Sequence, residues 1–186
     1  RCAGFNMLDV EKAKQLGIEI YRVAHYSPES IAEFTVSLML ALARKHNVER
    51  GKHSLLKNGR TVASMGFTLR GKTLGLHGYG AIAREVADIA RDGFKMNIIF
   101  FDPFVESSEK DEKVESLNEL YSRSNVVSVH VPLLDSTKES IGKHLLKNVP
   151  KDFMLINTAR GLVLNSREVL EMLDIGKIRY LGVDVW

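Results

Sequence analysis

The stretch Leu74-Gly75-Leu76-His77-Gly78-Tyr79-Gly80-Ala81-Ile82-Ala83 constrains the fold more than any other, because an apolar run ends in glycines and a helical pattern starts directly after them. It reads as strand, tight turn, helix. Gly78 can take the backbone angles that a sharp strand-to-helix turn requires, and Gly80, lacking a Cβ, leaves its backbone open to a close-lying group. From Ala81 onward Ile82, Val86 and Ile89 recur at spacings of four and three, one face of an amphipathic helix. That helix directs unpaired N–H groups and partial positive charge at the turn, which suits a phosphate. Ala83 fills the third position of G-x-G-x-x-G/A, where a small residue lets helix and strand pack closely.

A glycine pattern alone is weak, since such turns are common. Asp102 strengthens it. Asn97 to Phe101 is a second buried-strand run, and Asp102 ends it about twenty residues beyond the turn, where a carboxylate can bind both ribose hydroxyls of an adenosine and repel a 2′-phosphate. Its plainer role is a turn residue before Pro103. With strand, turn, helix, strand and acid in register, the stretch predicts an NAD-binding unit.

The chain around this unit alternates regularly. Predicted strands are Thr73 to His77, Asn97 to Phe101, Val126 to Val129, Phe153 to Asn157 and Tyr180 to Asp184, with helices starting near Ala81, Ser116, Ser140 and Asn165. Strand runs dense in Val, Ile, Leu and Phe, each separated by a helix, predict a parallel sheet covered on both faces. Right-handed crossovers then make it an α/β doubly wound fold of the Rossmann type. Ahead of it, Asp9 is a candidate N-cap for a short helix that Gly17 ends, and Ile18 to Val23 reads as a brief strand. Ser27 and Pro28 read as N-cap and first residue of a long helix. That helix is apolar on nearly all sides from Ile31 to Ala43, which predicts burial between two domains or two subunits. Residues 47–67 are basic, polar and interrupted by Gly51, Gly59 and Gly66, a surface connector.

In a doubly wound fold the ligand lies beyond the carboxyl ends of the strands. Those ends carry Gly78 and Gly80, Asp102, His130-Val131-Pro132, Thr158-Ala159-Arg160-Gly161 and Asp184. Arg160 is the residue with a chemical task to offer: a guanidinium at the mouth of the crevice can grip a carboxylate with two parallel bonds and polarise a neighbouring carbonyl. Its plainer role is to anchor a phosphate or a surface acid. Asp184 can hold a nicotinamide carboxamide or cap a strand. Hydride transfer to a carbonyl also needs a proton donor, usually His with an acidic partner. His77 and His130 lie near the crevice without an evident acidic partner, and are read as structural.

Composition narrows the class. A formal charge of +3 without a dense Lys/Arg cluster does not call for nucleic acid. No uncharged run, the apolar Phe34 to Ala43 included, approaches the roughly twenty residues of a membrane span. Cys2 is the only cysteine, which excludes an internal disulfide or a cysteine metal cluster and agrees with a cytoplasmic protein; no metal site is expected. The chain opens at Arg1 without methionine or signal segment, so it is expected to be cut from a longer one.

With these residues in view the chain resembles the D-isomer-specific 2-hydroxyacid dehydrogenases, and among them the fermentative D-lactate enzymes. The resemblance runs nearly end to end: Arg1-Cys2-Ala3-Gly4-Phe5-Asn6, Tyr26-Ser27-Pro28-Glu29-Ser30-Ile31-Ala32-Glu33, His130-Val131-Pro132-Leu133, Ile156-Asn157-Thr158-Ala159-Arg160-Gly161 and Gly182-Val183-Asp184-Val185. It implies that residues 1–26 are a fragment of a flavodoxin-like substrate domain, 27–66 an interdomain helix and connector, and 67–186 an NAD-binding domain lacking its C-terminal part. It implies that Ala3 and Gly4 receive the substrate carboxylate with Arg160. Gly78, Gly80, Ala81, Ile82, Asp102, Val131, Pro132, Thr137, Thr158, Ala159, Arg160 and Asp184 then line the cofactor site. The implied reaction interconverts a small 2-oxo acid and its D-2-hydroxy acid, pyruvate and D-lactate first, in a homodimer. The family's catalytic Glu and acid/base His fall beyond Trp186, so the piece alone is expected to be inactive. A regulatory module, an NADH-binding transcriptional corepressor without turnover, is the competing reading.

Overall fold

The computed structural model describes residues 8–23, 26–45 and 66–185. The first helix, α1 (Val10–Gln15), is capped as its sequence predicts: the Asp9 carboxylate accepts from the Lys12 N–H at 2.8 Å. Beyond it, Ile18 to Val23 does not form the predicted strand. No neighbouring strand pairs with it among the described residues, and Ile18, Tyr21 and Val23 stay exposed. An apolar run becomes a strand only where a ladder receives it.

The long helix α2 spans Pro28–Ala43. Pro28 opens it as expected, but Ser27 is left-handed (φ 47°) and its hydroxyl makes no cap bond. Ala32, Thr35, Val36, Met39 and Ala43 are buried against the sheet domain, while Phe34 and Leu40 are exposed at 41% and 36%. One face of α2 is therefore covered among the described residues, and the opposite face is open.

From residue 73 the chain builds the predicted parallel sheet: β1 (Thr73–His77), α3 (Ala81–Asp88), β2 (Asn97–Phe101), β3 (Glu112–Lys113), α4 (Leu117–Arg123), β4 (Val126–Val129), α5 (Lys143–Leu146), β5 (Phe153–Asn157), α6 (Ser166–Asp174) and β6 (Ile178–Val183). The spatial order is β3-β2-β1-β4-β5-β6, every pairing parallel. Order reverses between β1 and β4, and there a crevice opens at the carboxyl ends.

Period-two alternation sorts the strands between two cores. Leu74, Leu76, Ile98, Phe100, Val126, Met154 and Ile156 face α2 and α3. Ile99, Val127, Val129, Phe153 and Leu155 face α4, α5 and α6. Gly75 belongs to the second face, where a Cβ would meet the Ser124 hydroxyl and come within 3.2 Å of Leu120, so its missing side chain lets α4 lie close.

Three details depart from the sequence expectation. The edge strand β3 is only Glu112 and Lys113, hydrogen-bonded to β2, and two charged residues give no apolar run to read. β6 begins at Ile178, two residues before the expected Tyr180, because its register shifts against Phe153 and Met154. α5 starts at Lys143 rather than near Ser140, since Ile141 bridges to Leu164 and Gly142 sits against the Glu168 carboxylate.

Candidate functional site

The turn after β1 is built as its glycines require. Gly78 has φ 93°, and a Cβ there would lie 2.9 Å from the His130 carbonyl oxygen and 3.1 Å from Val131 Cγ1. β1 and the loop after β4 thus meet at a residue that only glycine fills without strain. Gly80 is the N-cap of α3, and a Cβ on it would touch nothing within 4 Å. Ala81 is exposed and Ile82 half-buried. The first turn of α3 therefore opens onto the crevice, an arrangement that accepts a phosphate.

Asp102, at the end of β2, closes on this turn. Its two carboxylate oxygens accept from the backbone N–H of Tyr79 and of Phe104, each at 2.8 Å. The carboxylate is thereby fixed beside the glycines, with lone pairs left for a ribose diol. Tyr79, between the two glycines, is buried. Its ring stacks on Phe100 at 3.8 Å and its hydroxyl donates to the buried Asp111 carboxylate, which Arg91 holds from the other side at 2.6 Å. Burial, then the Asp111 bond, raises the phenol above its usual range. The signal in the sequence was the aromatic itself, unexpected at a tight turn unless a pocket receives it.

On the other side of the switch point, β5 ends in the buried Asn157. Its carboxamide accepts from the Ala159 N–H at 3.0 Å and donates to the Arg160 carbonyl at 2.9 Å. Asn157 thus shapes the Thr158-Ala159-Arg160 loop. An Asn at a strand end, bonding two residues ahead, is an Asx-turn that the sequence allows one to find. The Arg160 guanidinium is half-buried, spends one bond on the Ala159 carbonyl at 2.7 Å, and pairs with no carboxylate among the described residues. The fork is left open to a ligand acid. Ala159 is half-buried beside it.

The two threonines expected at the cofactor spend their hydroxyls elsewhere. Thr158 bonds Thr35 of α2 at 2.9 Å; since Thr35 donates to the Ile31 carbonyl, Thr158 is the donor of that pair. Thr137 donates to the Pro132 carbonyl at 2.6 Å and accepts from the Leu134 N–H at 2.8 Å, tying the Val131–Leu134 loop to itself. Both hydroxyl protons are thus committed within the protein, and only acceptor lone pairs remain for another group. Val131 is half-buried and Pro132 exposed at the end of β4, while Asp184, past β6, donates its N–H to the Asn157 carbonyl at 3.1 Å and leaves its side chain exposed. Ala3 and Gly4 lie outside the described residues.

His77 and His130 are satisfied within the fold. His77 Nδ1 pairs with the Tyr121 hydroxyl at 3.2 Å, and His130 Nε2 with the Ser128 hydroxyl at 2.9 Å. Burial, against a weaker pull from Asp102, lowers His77 from 6.5 to about 4. Burial and the nearby His77 lower His130 to about 3. Both rings are neutral at pH 7 and poorly suited to deliver a proton. A stability consequence follows for His77, because between about pH 6.5 and 4 the unfolded chain takes up a proton that the folded chain refuses. Urea unfolding should show stability falling as pH drops through that window, by up to about 3 kcal/mol from His77 at ~1.4 kcal/mol per pH unit, with no such loss above pH 7. His77→Gln should flatten the fall; an undiminished slope in that variant would assign it to other groups.

Among the described residues no three His, Cys, Asp or Glu gather as metal ligands, and no helix is long and apolar enough to cross a membrane.

Comparison with known proteins supports the geometry. The family model described as "D-isomer specific 2-hydroxyacid dehydrogenase, NAD binding domain" matches residues 36–186, from within α2 to the end of the chain. The D-lactate dehydrogenase of Escherichia coli is 34% identical over an alignment of 189 positions that covers 100% of this chain and 56% of that protein. The hydroxypyruvate reductase of Thermotoga maritima is 36% identical over 98% of this chain and 59% of its own length. The structure of D-lactate dehydrogenase from Aquifex aeolicus, complexed with NAD and lactic acid, superposes with a TM-score of 0.86 at 30% identity, covering 99% of this chain and 56% of that one. The chain thus spans a little over half the length of the relatives it matches. On the sheet order, the glycine turn and this match together, the chain belongs to the D-isomer-specific 2-hydroxyacid dehydrogenase family and carries its NAD-binding domain.

Proposed function

We propose that the protein carrying this chain is an NAD-dependent dehydrogenase that interconverts a small 2-oxo acid and the D-2-hydroxy acid, with pyruvate and D-lactate as the pair. The observation that carries this reading is Arg160, a guanidinium with no carboxylate partner among the described residues, held at the end of β5 by the Asn157 loop. Two of the relatives named above are D-lactate dehydrogenases and the third is a reductase of another small 2-oxo acid, which supports the reaction class. Nothing observed favours a regulatory module instead.

The residues present fit the dinucleotide. Gly78, Gly80, Ala81 and Ile82 form its phosphate seat, and Asp102 takes the adenosine ribose. Val131, Pro132, Thr137, Thr158, Ala159 and Asp184 border the nicotinamide side. Bound NADH supplies a hydride to the substrate carbonyl. Arg160 grips the substrate carboxylate and, by drawing electron density from the adjoining carbonyl, lowers the barrier to its reduction. Ala3 and Gly4 add backbone donors to the same carboxylate. The proton comes from an acid/base His and Glu that the family places beyond Trp186. In the same reading residues 1–26 belong to a flavodoxin-like substrate domain, 27–66 form the interdomain helix and connector, and 67–186 the NAD-binding domain. The open face of α2 with Phe34 and Leu40 supports a homodimer, and the protein is cytoplasmic.

The test is NADH oxidation by the intact protein with pyruvate, and the reverse reaction offered D- and L-lactate separately. Turnover of the D isomer alone is expected. Tight NADH binding without turnover of any small 2-oxo acid would overturn the proposal.

A further inference from the structure

Tyr79 is gripped at both ends of its backbone by groups of opposite charge. Its N–H donates to Asp102 at 2.8 Å, and its carbonyl accepts from Arg84 Nε at 3.2 Å. The Arg84 guanidinium lies over the Tyr79 ring, 5.0 Å from the centroid, while Phe100 stacks at 3.8 Å. A ring stacked that closely leaves one face free, so arginine and phenylalanine take opposite faces. The arginine is thus fixed beside the peptide that separates Gly78 from Gly80. Arg91, Arg123 and Arg167 pair with carboxylates, whereas Arg84, like Arg160, pairs with none among the described residues, Asp102 included. Its four remaining N–H donors have no protein acceptor there, although it sits in the first turn of α3 at the seat of a dinucleotide.

We infer that Arg84 binds a phosphate of the cofactor's adenosine half. The inference rests on the NAD site described above and adds a residue to it. A carboxylate that reads the ribose diol brings the phosphates attached to that ribose within reach of an arginine anchored on the same peptide. Two phosphates qualify: the pyrophosphate at the 5′ position and, in NADPH, the 2′-phosphate. Asp102 repels the second, so in the wild type Arg84 acts on the first. Once the Asp102 charge is gone, Arg84 is the cation already in place for the 2′ position.

NADH and NADPH binding to the intact protein, followed by nucleotide fluorescence, tests this. Arg84→Met, which keeps the aliphatic stem, should raise the NADH Kd about tenfold, the loss of one charge-assisted contact. Arg84→Lys should recover part of it, and unchanged melting temperatures in both would separate binding from folding. Asp102→Asn should admit NADPH. If that gain disappears in Asp102→Asn/Arg84→Met, Arg84 reaches the 2′-phosphate as well; if it survives beside a weakened NADH Kd, Arg84 serves the pyrophosphate alone. Either supports the inference. An Arg84→Met protein that binds NADH within twofold of wild type overturns it. Wild-type protein that does not bind NADH would overturn the underlying site reading too.

Discussion

Alanine at position 160 is expected to lower kcat/KM for pyruvate by about a thousandfold, ~4 kcal/mol, while leaving the NADH Kd within about twofold of wild type. The size follows from what is lost: a forked, charge-assisted grip on a carboxylate, and with it the polarisation of the adjoining carbonyl. The backbone should survive the change, because Asn157 holds the loop through the Ala159 N–H and the Arg160 carbonyl rather than through the guanidinium. Arg160→Lys keeps the charge but not the fork and should fall between. Steady-state kinetics with nucleotide titration measures both halves; an unchanged KM for the oxo acid would remove Arg160 from the substrate site.

The second large effect separates two glycines that look alike in the sequence. Gly78→Ala places a methyl at φ 93° and 2.9 Å from a backbone oxygen that cannot move without shifting the loop after β4. It should cost about 3 kcal/mol of stability, roughly 10 °C of melting temperature, and abolish NADH binding with it. Gly80→Ala meets no protein atom within 4 Å. Its melting temperature should hardly move, whereas NADH should bind at least about tenfold more weakly because the methyl fills the space where a phosphate lies. A Gly80→Ala protein with normal NADH affinity would show that this turn is not the phosphate seat.

Strands buried on both faces were legible in the sequence, since β1, β2, β4 and β5 each present a dense apolar run and fall where that run predicts. Residues that depend on a neighbour were not. Ile18 to Val23 has the composition of a strand but no sheet edge among the described residues to receive it, and β3 is a strand by position alone. The same division holds at the site. Gly78, Asp102 and Arg160 follow from the rule that places ligands at strand ends. The way Asp102 grips Tyr79, or Thr158 spends its hydroxyl on Thr35, 123 positions away, depends on side-chain directions that no spacing encodes.

The strand order also has a consequence in time. β1 lies at the centre of the sheet, yet it is the first of the six strands to be synthesised. Residues 73–113 suffice to assemble β3, β2 and β1, but the inner edge of β1 has no partner until residues 126–129 leave the ribosome. At the usual pace of synthesis, about 5–20 residues per second, that edge is bare for on the order of a second. The nascent chain passes through a half-sheet whose open side, Leu74 to His77, stays a bare edge until β4 pairs with it.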